Sequence, residues 1–190
     1  LFLMLCAHTV ANMSNAAVQK LRLWKADPVQ FVRDNFQVEP DLWQVDALQA
    51  AAQPGTQRLA LRACAGPGKT AVLAWLGWWF MSTHCGIGEH PKGIAVGITA
   101  DSLKDNLWPE FAKWQQRSKF LSALFTWQKE RIFCHESPKT AETWFLSARS
   151  FSKTANAEEQ GRVLSGLHSQ YPFVLLDETG DMNPSIGRAA

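Results

Sequence analysis

The residues best suited to chemistry form a short run, Ala63-Cys64-Ala65-Gly66-Pro67-Gly68-Lys69-Thr70. The run matches the end of the GxxxxGK[ST] phosphate-loop pattern, with alanine where the first glycine is usual. Small residues let successive backbone N–H groups turn inward around phosphate oxygens, and a helix N-terminus adds partial positive charge. Lys69 would reach the β- and γ-phosphates of ATP, and the Thr70 hydroxyl would bind Mg²⁺. The alternative is an ordinary Gly-Pro turn before a helix.

A second set of chemical residues ends an apolar run, where Phe173-Val174-Leu175-Leu176 is followed by Asp177 and Glu178. A buried strand brings its last residue to the carboxyl edge of the sheet, where ligands of open α/β folds bind. Asp177 would therefore face the phosphate loop and hold Mg²⁺, directly or through water. Glu178 would point to the other side of the pleat and act as general base toward the attacking water. Such strand ends are also common on surfaces, so this prediction depends on the phosphate loop upstream.

A third feature precedes the phosphate loop, at Trp43 and Gln44 in the run Pro40-Asp41-Leu42-Trp43-Gln44. A glutamine amide carries both a donor and an acceptor, which the N6 and N7 edge of adenine requires, and a neighbouring aromatic ring can stack on the base. The alternative is that Trp43 packs in the core while Gln44 is solvated. We predict adenine recognition here.

Helices and strands alternate along the chain and must position these residues. Start signals, apolar periodicity and turn residues predict helices at about 28–36, 42–52, 69–82, 101–116 and 157–168. They predict strands at 58–63, 92–99, 131–135, 143–147 and 172–176, with the third and fourth arranged like a hairpin. This alternation indicates an α/β fold with a mostly parallel sheet covered on both faces.

Length and composition favour one folded domain. The chain has 190 residues, of which 46% are hydrophobic and 19% charged, and its net charge of +2 identifies no partner. The four cysteines form no CxxC pair, which argues against a zinc site or a disulfide framework and fits a reducing cytoplasm. Four histidines, His84, His90, His135 and His168, show no ligand spacing with cysteine and are predicted at the surface or in turns. Trp75, Trp78 and Trp79 are predicted to pack in the core.

Both ends of the sequence suggest boundaries. The apolar start, Leu1 to Val10, is too short to span a bilayer and lacks the basic residues of a signal peptide. Met13 is a possible natural start, so residues 1–12 are a possible non-native upstream extension. Residues 13–56 would form a helical segment with the adenine motif, and residues 57–190 an incomplete ATPase core. A helix start at Asn183-Pro184 suggests truncation at the C-terminus.

With these three motifs in order, the chain resembles the N-terminal ATPase domain of phage terminase large subunits, the motors that pump double-stranded DNA into procapsids. The resemblance runs from about Val32 to the end. Further similar stretches are Phe31-Val32-Arg33-Asp34, Leu107-Trp108-Pro109-Glu110, Leu164-Ser165-Gly166-Leu167-His168-Ser169 and Thr179-Gly180-Asp181-Met182.

The resemblance implies a three-layer P-loop NTPase of the RecA-like (ASCE) type that hydrolyses ATP with Mg²⁺ to translocate DNA. It implies double-stranded DNA, a portal protein and a small terminase subunit as partners, and a homo-oligomeric ring in the full-length protein. The place of action would be the host cytoplasm, at the procapsid portal, with no membrane involved. Full-length members also carry a C-terminal nuclease domain, which would lie beyond Ala190 together with the family's coupling motif.

One departure from the family concerns the arginine finger. Many large terminases place an arginine inside the phosphate loop, whereas the interior of this loop has none. The candidates are Arg62, Arg149 and Arg162, each of which could instead be a surface or DNA-contacting residue. Two other functions stay open, a helicase-like DNA translocase and a nucleotide-binding fragment without turnover.

Overall fold

The computed structural model describes residues 15–62, 64, 66–86, 88–97, 101, 103–150 and 167–177. Its α-helices are α1 Asn15–Ala26, α2 Pro28–Phe36, α3 Leu42–Ala52, α4 Lys69–Thr83, α5 Trp108–Arg117, α6 Lys119–Leu124 and α7 Pro138–Thr143. Its strands are β1 Pro91–Gly97, β2 Phe125–Trp127, β3 Arg131–Cys134, β4 Phe145–Ser150 and β5 Tyr171–Leu176. The predictions about residues 1–12, the helix at 157–166 and the helix at Asn183 lie outside the described residues. Leu167 and His168, where the 157–168 helix was predicted to end, have no regular secondary structure.

The two N-terminal helices that capping residues predict are present. In α2 the Asp27 carboxylate accepts a hydrogen bond from the Gln30 N–H at 3.0 Å, and Pro28 occupies the first turn, where its missing N–H costs nothing. The helix ends at Gln37, whose φ of 53° is left-handed. Helix α1 was not predicted, although Val18, Leu21 and Trp24 are apolar at helical spacing; only Trp24 of its residues is buried.

The described strands form a mixed sheet with the order β2-β3-β4-β1-β5. Strand β1 is parallel to both β4 and β5, whereas β3 is antiparallel to β2 and β4. The hairpin-like pairing of the third and fourth predicted strands is therefore confirmed, with α7 in the connection. The fold is α/β, and β1, β4 and β5 all end at one edge, here called the carboxyl edge.

Helix α4 packs against one face of the sheet and runs antiparallel to β5. The contacts along the helix pair His84 with Tyr171 (ring centroids 6.4 Å apart), Phe80 with Phe173 (4.8 Å) and Gly77 with Leu175. Residue numbers fall along the helix as they rise along the strand. Consequently the N-terminus of α4 lies at the carboxyl edge, where β5 ends.

The core on the α4 side is rich in aromatic residues. Trp75, Trp78 and Trp79 are buried as predicted, and the Trp79 indole N–H donates to the Trp24 carbonyl at 2.7 Å, which fastens α1 to α4. On the opposite face Ile94 and Val96 form a smaller buried cluster with other apolar residues, among them Leu167. No described helix is long and apolar enough to cross a membrane.

The predicted helix at 101–116 contains a wide turn. Residues Leu103–Leu107 form a π-helix, and α5 continues from Trp108. Pro109 explains the distortion, since proline cannot donate to the carbonyl of Asp105 and its ring would clash with that carbonyl in a regular α-helix. The leucines at the two ends of the turn are buried.

Two sequence-based expectations are wrong in the described residues. No strand forms at 58–62, where the side chains are mostly exposed. A strand needs a hydrogen-bonding neighbour, and no strand of the described sheet pairs with this segment. His90 is not a surface residue, because its ring is buried, stacks on Trp144 at 5.2 Å and hydrogen-bonds Thr143.

Candidate functional site

The described part of the phosphate loop has the backbone that its glycines predict. Gly66 and Gly68 have φ values of 88° and 90°, a left-handed conformation that favours glycine. Gly68 is the N-cap of α4, so the first-turn N–H groups, which have no acceptor within an α-helix, follow directly. The Lys69 ammonium donates to the Cys64 carbonyl at 2.5 Å and so lies across the loop. This arrangement places a cation and a helix N-terminus together, as a phosphate site requires.

Asp177 lies at the same end of the molecule as this helix N-terminus. Its N–H donates to the Val96 carbonyl at 3.0 Å, which continues the β5–β1 ladder by one residue. Gly77 of α4 contacts Leu175 of β5, and this contact gives a common reference point. Thr70 lies about 10 Å from it along the helix axis, toward the helix N-terminus. Asp177 lies about 7 Å from it along the strand, in the same direction because the two elements are antiparallel. The fold therefore brings Lys69, Thr70 and Asp177 to one edge.

The donors at this edge fit a magnesium ion that is shared with phosphates. Mg²⁺ is usually held by one or two carboxylates together with substrate phosphates, rather than by a complete protein cage. Within the described ranges no three His, Cys, Asp or Glu side chains cluster into a metal site. A hydroxyl from Thr70 and a carboxylate from Asp177, both half-buried, are the donor set that a nucleotide-bound Mg²⁺ needs.

The two predicted adenine residues lie in the first turn of α3. Trp43 is half-buried and packs against the main core, while Gln44 is 6% exposed. Gln44 is therefore not a solvated residue. Its Oε1 accepts a hydrogen bond from the Asp41 N–H at 2.9 Å, as in a capping box, which leaves the second lone pair of this oxygen for another donor.

Two of the three arginine-finger candidates are described. Arg149 is half-buried near the end of β4, in register with Val96 of β1, so its backbone lies at the carboxyl edge. With strands about 4.8 Å apart, Arg149 is about 10 Å from β5 across the sheet. Arg62 is exposed, just before the phosphate loop. Arg162, Ala65 and the predicted base Glu178 lie outside the described residues.

Sequence reasoning missed the contact between the adenine segment and the phosphate loop. A Cβ built on Gly68 would lie 2.9 Å from Nε2 of Gln44, so the two motifs touch. The sequence contains both residues, but 23 positions of intervening chain hide their proximity. The sequence carries only an indirect sign of this contact. Asp41 and Gln44 have the spacing of a capping box, which predicts that the Gln44 side chain folds back toward the start of α3.

Comparison with known proteins adds no relative to these observations. The sequence matches no protein-family model and no curated protein.

Proposed function

We propose that this chain is the ATPase domain of a viral DNA-packaging motor, a terminase large subunit that hydrolyses ATP with Mg²⁺ and translocates double-stranded DNA into a procapsid. One observation carries the proposal. The left-handed glycine loop and Lys69 begin a helix whose N-terminus lies at the same sheet edge as Asp177. The order of the three motifs, together with the stretches similar to terminases, directs the proposal to this family rather than to NTPases in general.

The site residues would act mainly through position and charge. Lys69 and the N–H groups of the loop would neutralise the β- and γ-phosphates, a role in which fixed charges and dipoles are most effective. When bound, Mg²⁺ would be held by Thr70 and Asp177, and it would supply charge neutralisation at the phosphate oxygens. Glu178 would take a proton from the attacking water, and Trp43 with Gln44 would bind the adenine.

At the scale of the fold, we propose a three-layer P-loop NTPase of the RecA-like type. In the full-length protein it would work as a homo-oligomeric ring with double-stranded DNA, a portal protein and a small terminase subunit, in the host cytoplasm. A nuclease domain would accompany it. The missing arginine in the loop would be replaced by Arg62, Arg149 or Arg162.

Replacing the phosphate-loop lysine tests the proposal directly. Lys69→Ala removes a charge-assisted contact worth about 1.5–3 kcal/mol, so the dissociation constant for ATP with Mg²⁺ should rise about 10- to 100-fold. Isothermal titration calorimetry measures this change. Lys139→Ala, an exposed lysine in α7, is the matched control and should bind ATP like the unmodified chain. Equal ATP affinity in the two variants would refute the phosphate-loop assignment.

Hydrolysis is tested separately from binding. In the full-length protein, Glu178→Gln should bind ATP with unchanged affinity and lose turnover, because an amide cannot accept the proton from water. Phosphate release with and without double-stranded DNA gives the rate. Retained turnover would exclude Glu178 as the base. If the unmodified full-length protein binds ATP but releases no phosphate with DNA, the chain is instead a nucleotide-binding module without turnover.

A further inference from the structure

The side chain of Gln44 rests against the residue on which the phosphate loop turns into α4. Gly68 is the N-cap of that helix, and a Cβ added to it would lie 2.9 Å from the Gln44 Nε2 atom. Real Cβ atoms essentially never come so close to another heavy atom. The glutamine amide thus occupies the space that any side chain at position 68 would need.

The orientation of the Gln44 amide is fixed from its other end. Its Oε1 accepts from the Asp41 N–H, and the side chain is buried, so the amide cannot rotate without breaking this hydrogen bond. Breaking this part-buried hydrogen bond would leave the buried Gln44 amide oxygen without its partner, which costs more than the bond's net contribution. The start of α3 therefore holds Nε2 in place against Gly68.

This contact acts on one of the two loop glycines that the structure describes with a left-handed backbone. Gly68 has a φ of 90°, and glycine has wide conformational freedom that must be restricted for the loop to hold one shape. The neighbouring Gly66 has nothing within 4 Å of its Cβ position. Of these two loop glycines, only Gly68 is braced by a side chain from the adenine segment.

We infer that Gln44 is a positioning residue for the phosphate loop: by packing on Gly68 it sets the start of α4, and thereby the phosphate affinity, independently of any contact with the base. The inference rests on the proposed nucleotide site. It gives Gln44 a function that a ligand without adenine can reveal. If Gln44 served only to recognise the base, its removal would not change the binding of phosphates alone.

Inorganic tripolyphosphate separates the two roles, because it carries the phosphate chain without a base. Gln44→Ala should weaken binding of tripolyphosphate about tenfold, as expected for one lost contact, and binding of ATP with Mg²⁺ by at least that factor. A fall in the ratio of ATP to GTP affinity would report the proposed adenine contact separately, because tripolyphosphate has no base. Calorimetric titrations of the whole chain with the three ligands measure these quantities.

A control in the same helix guards against a general loss of structure. Gln53→Ala changes an exposed glutamine at the C-terminal end of α3 and should retain both affinities. Near-ultraviolet circular dichroism and thermal melting show whether each variant is folded. If Gln44→Ala does not fold, Gln44→Asn decides, because it keeps a neutral amide at the start of α3 but is one methylene shorter and withdraws that amide from Gly68. It should also weaken tripolyphosphate binding, and it adds no charge near the phosphates that could cause the same loss.

The outcomes distinguish the inference from the function on which it rests. Unchanged tripolyphosphate affinity in a folded Gln44 variant, with weaker ATP binding, would overturn the inference and leave the nucleotide site intact. If the unmodified chain binds neither tripolyphosphate nor ATP, the proposed nucleotide site is wrong and the inference falls with it. The same follows if Lys69→Ala binds both ligands as tightly as the unmodified chain. The inference is supported if Gln44→Ala binds both tripolyphosphate and ATP more weakly while Gln53→Ala binds them like the unmodified chain.

Discussion

Gly68 is the residue at which backbone conformation and side-chain packing can be separated by mutation. Its φ of 90° strains any other residue, and a methyl group there would meet Gln44 Nε2 at 2.9 Å. We expect Gly68→Ala to lower the free energy of unfolding by about 2–3 kcal/mol, from strain together with the steric clash. Urea denaturation, followed by circular dichroism, measures the change.

Gly55 provides the matched control for this prediction. Its φ of 86° is nearly the same, but nothing lies within 4 Å of its Cβ position. Gly55→Ala should therefore cost only the backbone strain, about 1 kcal/mol. In a Gln44→Ala background the additional cost of Gly68→Ala should shrink toward that value. Equal costs of Gly68→Ala in the two backgrounds would contradict the contact.

His84 gives the stability of the fold a specific dependence on pH. Burial, with a smaller contribution from the charge of Lys25, lowers the pKa of His84 from 6.5 to about 4. The unfolded chain therefore binds a proton more readily than the folded chain, and this contribution to stability is lost as pH falls from about 6.5 to 4. The loss amounts to about 3 kcal/mol at most.

Replacing His84 with phenylalanine should remove this dependence. The substitution keeps an aromatic ring to stack on Phe80, whose ring centroid lies 3.9 Å from that of His84. The free energy of unfolding of His84→Phe should fall less steeply between pH 6.5 and 4 than that of the unmodified chain. Parallel denaturation series at several pH values test this, and identical slopes would refute it.

At the scale of elements, two serine N-caps differ in what else they bind. Ser118 accepts from the Leu121 N–H and donates to Asn35 Oδ1 at 2.9 Å, both within the buried contact of α6 with α2. Ser137 caps α7 in a half-buried position. Ser118→Ala should cost about 2 kcal/mol, because it also removes the donor of a buried amide oxygen. Ser137→Ala should cost about 1 kcal/mol.

The comparison of these two variants by thermal or urea unfolding needs no other control, since both lose a serine cap. If Ser137→Ala destabilises the chain as much as Ser118→Ala, the hydrogen bond to Asn35 contributes nothing to stability. A greater loss for Ser118→Ala shows that the α2–α6 junction depends on this buried pair.

Elements with clear local signals were predictable from the sequence, including the apolar runs of β1 and β5, whereas the pairing of a segment with distant partners was not. Asp27 with Pro28 specifies the start of α2 within a few residues, and Gly68 with the apolar run after it specifies α4. The strand predicted at 58–63 has suitable residues, but the described sheet offers it no neighbouring strand. The wide turn before α5 follows from Pro109, yet its extent depends on packing.

The same distinction applies to the candidate site. Residue types and spacing predict the loop around Lys69 and the strand end at Asp177, because each motif is continuous in sequence. That Gln44 touches Gly68 follows only from how α3 packs against α4, which no local pattern encodes. The roles of these residues in ATP hydrolysis remain predictions for the experiments above.

For the whole molecule, nucleotide binding should raise thermal stability. A ligand that binds only the folded state stabilises that state by about 2.7 kcal/mol when the ligand concentration is 100 times the dissociation constant. For a chain of this size that corresponds to a rise in Tm of roughly 5–10 °C. Differential scanning fluorimetry with ATP and Mg²⁺ should show the shift in the unmodified chain and in Lys139→Ala. Lys69→Ala should lose most of it, and an equal shift in all three would contradict the site.

The strand order also has a consequence for synthesis of the protein on the ribosome. Strand β1 lies between β4 and β5, and both of these partners come later in the chain. Ile94 and Val96, fully buried in the folded protein, lack their β5 neighbours until Leu176 has emerged. At about 5–20 residues per second, translation of the intervening chain takes roughly 4–16 s. During that interval the side of β1 that pairs with β5 has no neighbour, even after β4 has emerged, and an unpaired apolar strand edge is the kind of segment that chaperones bind.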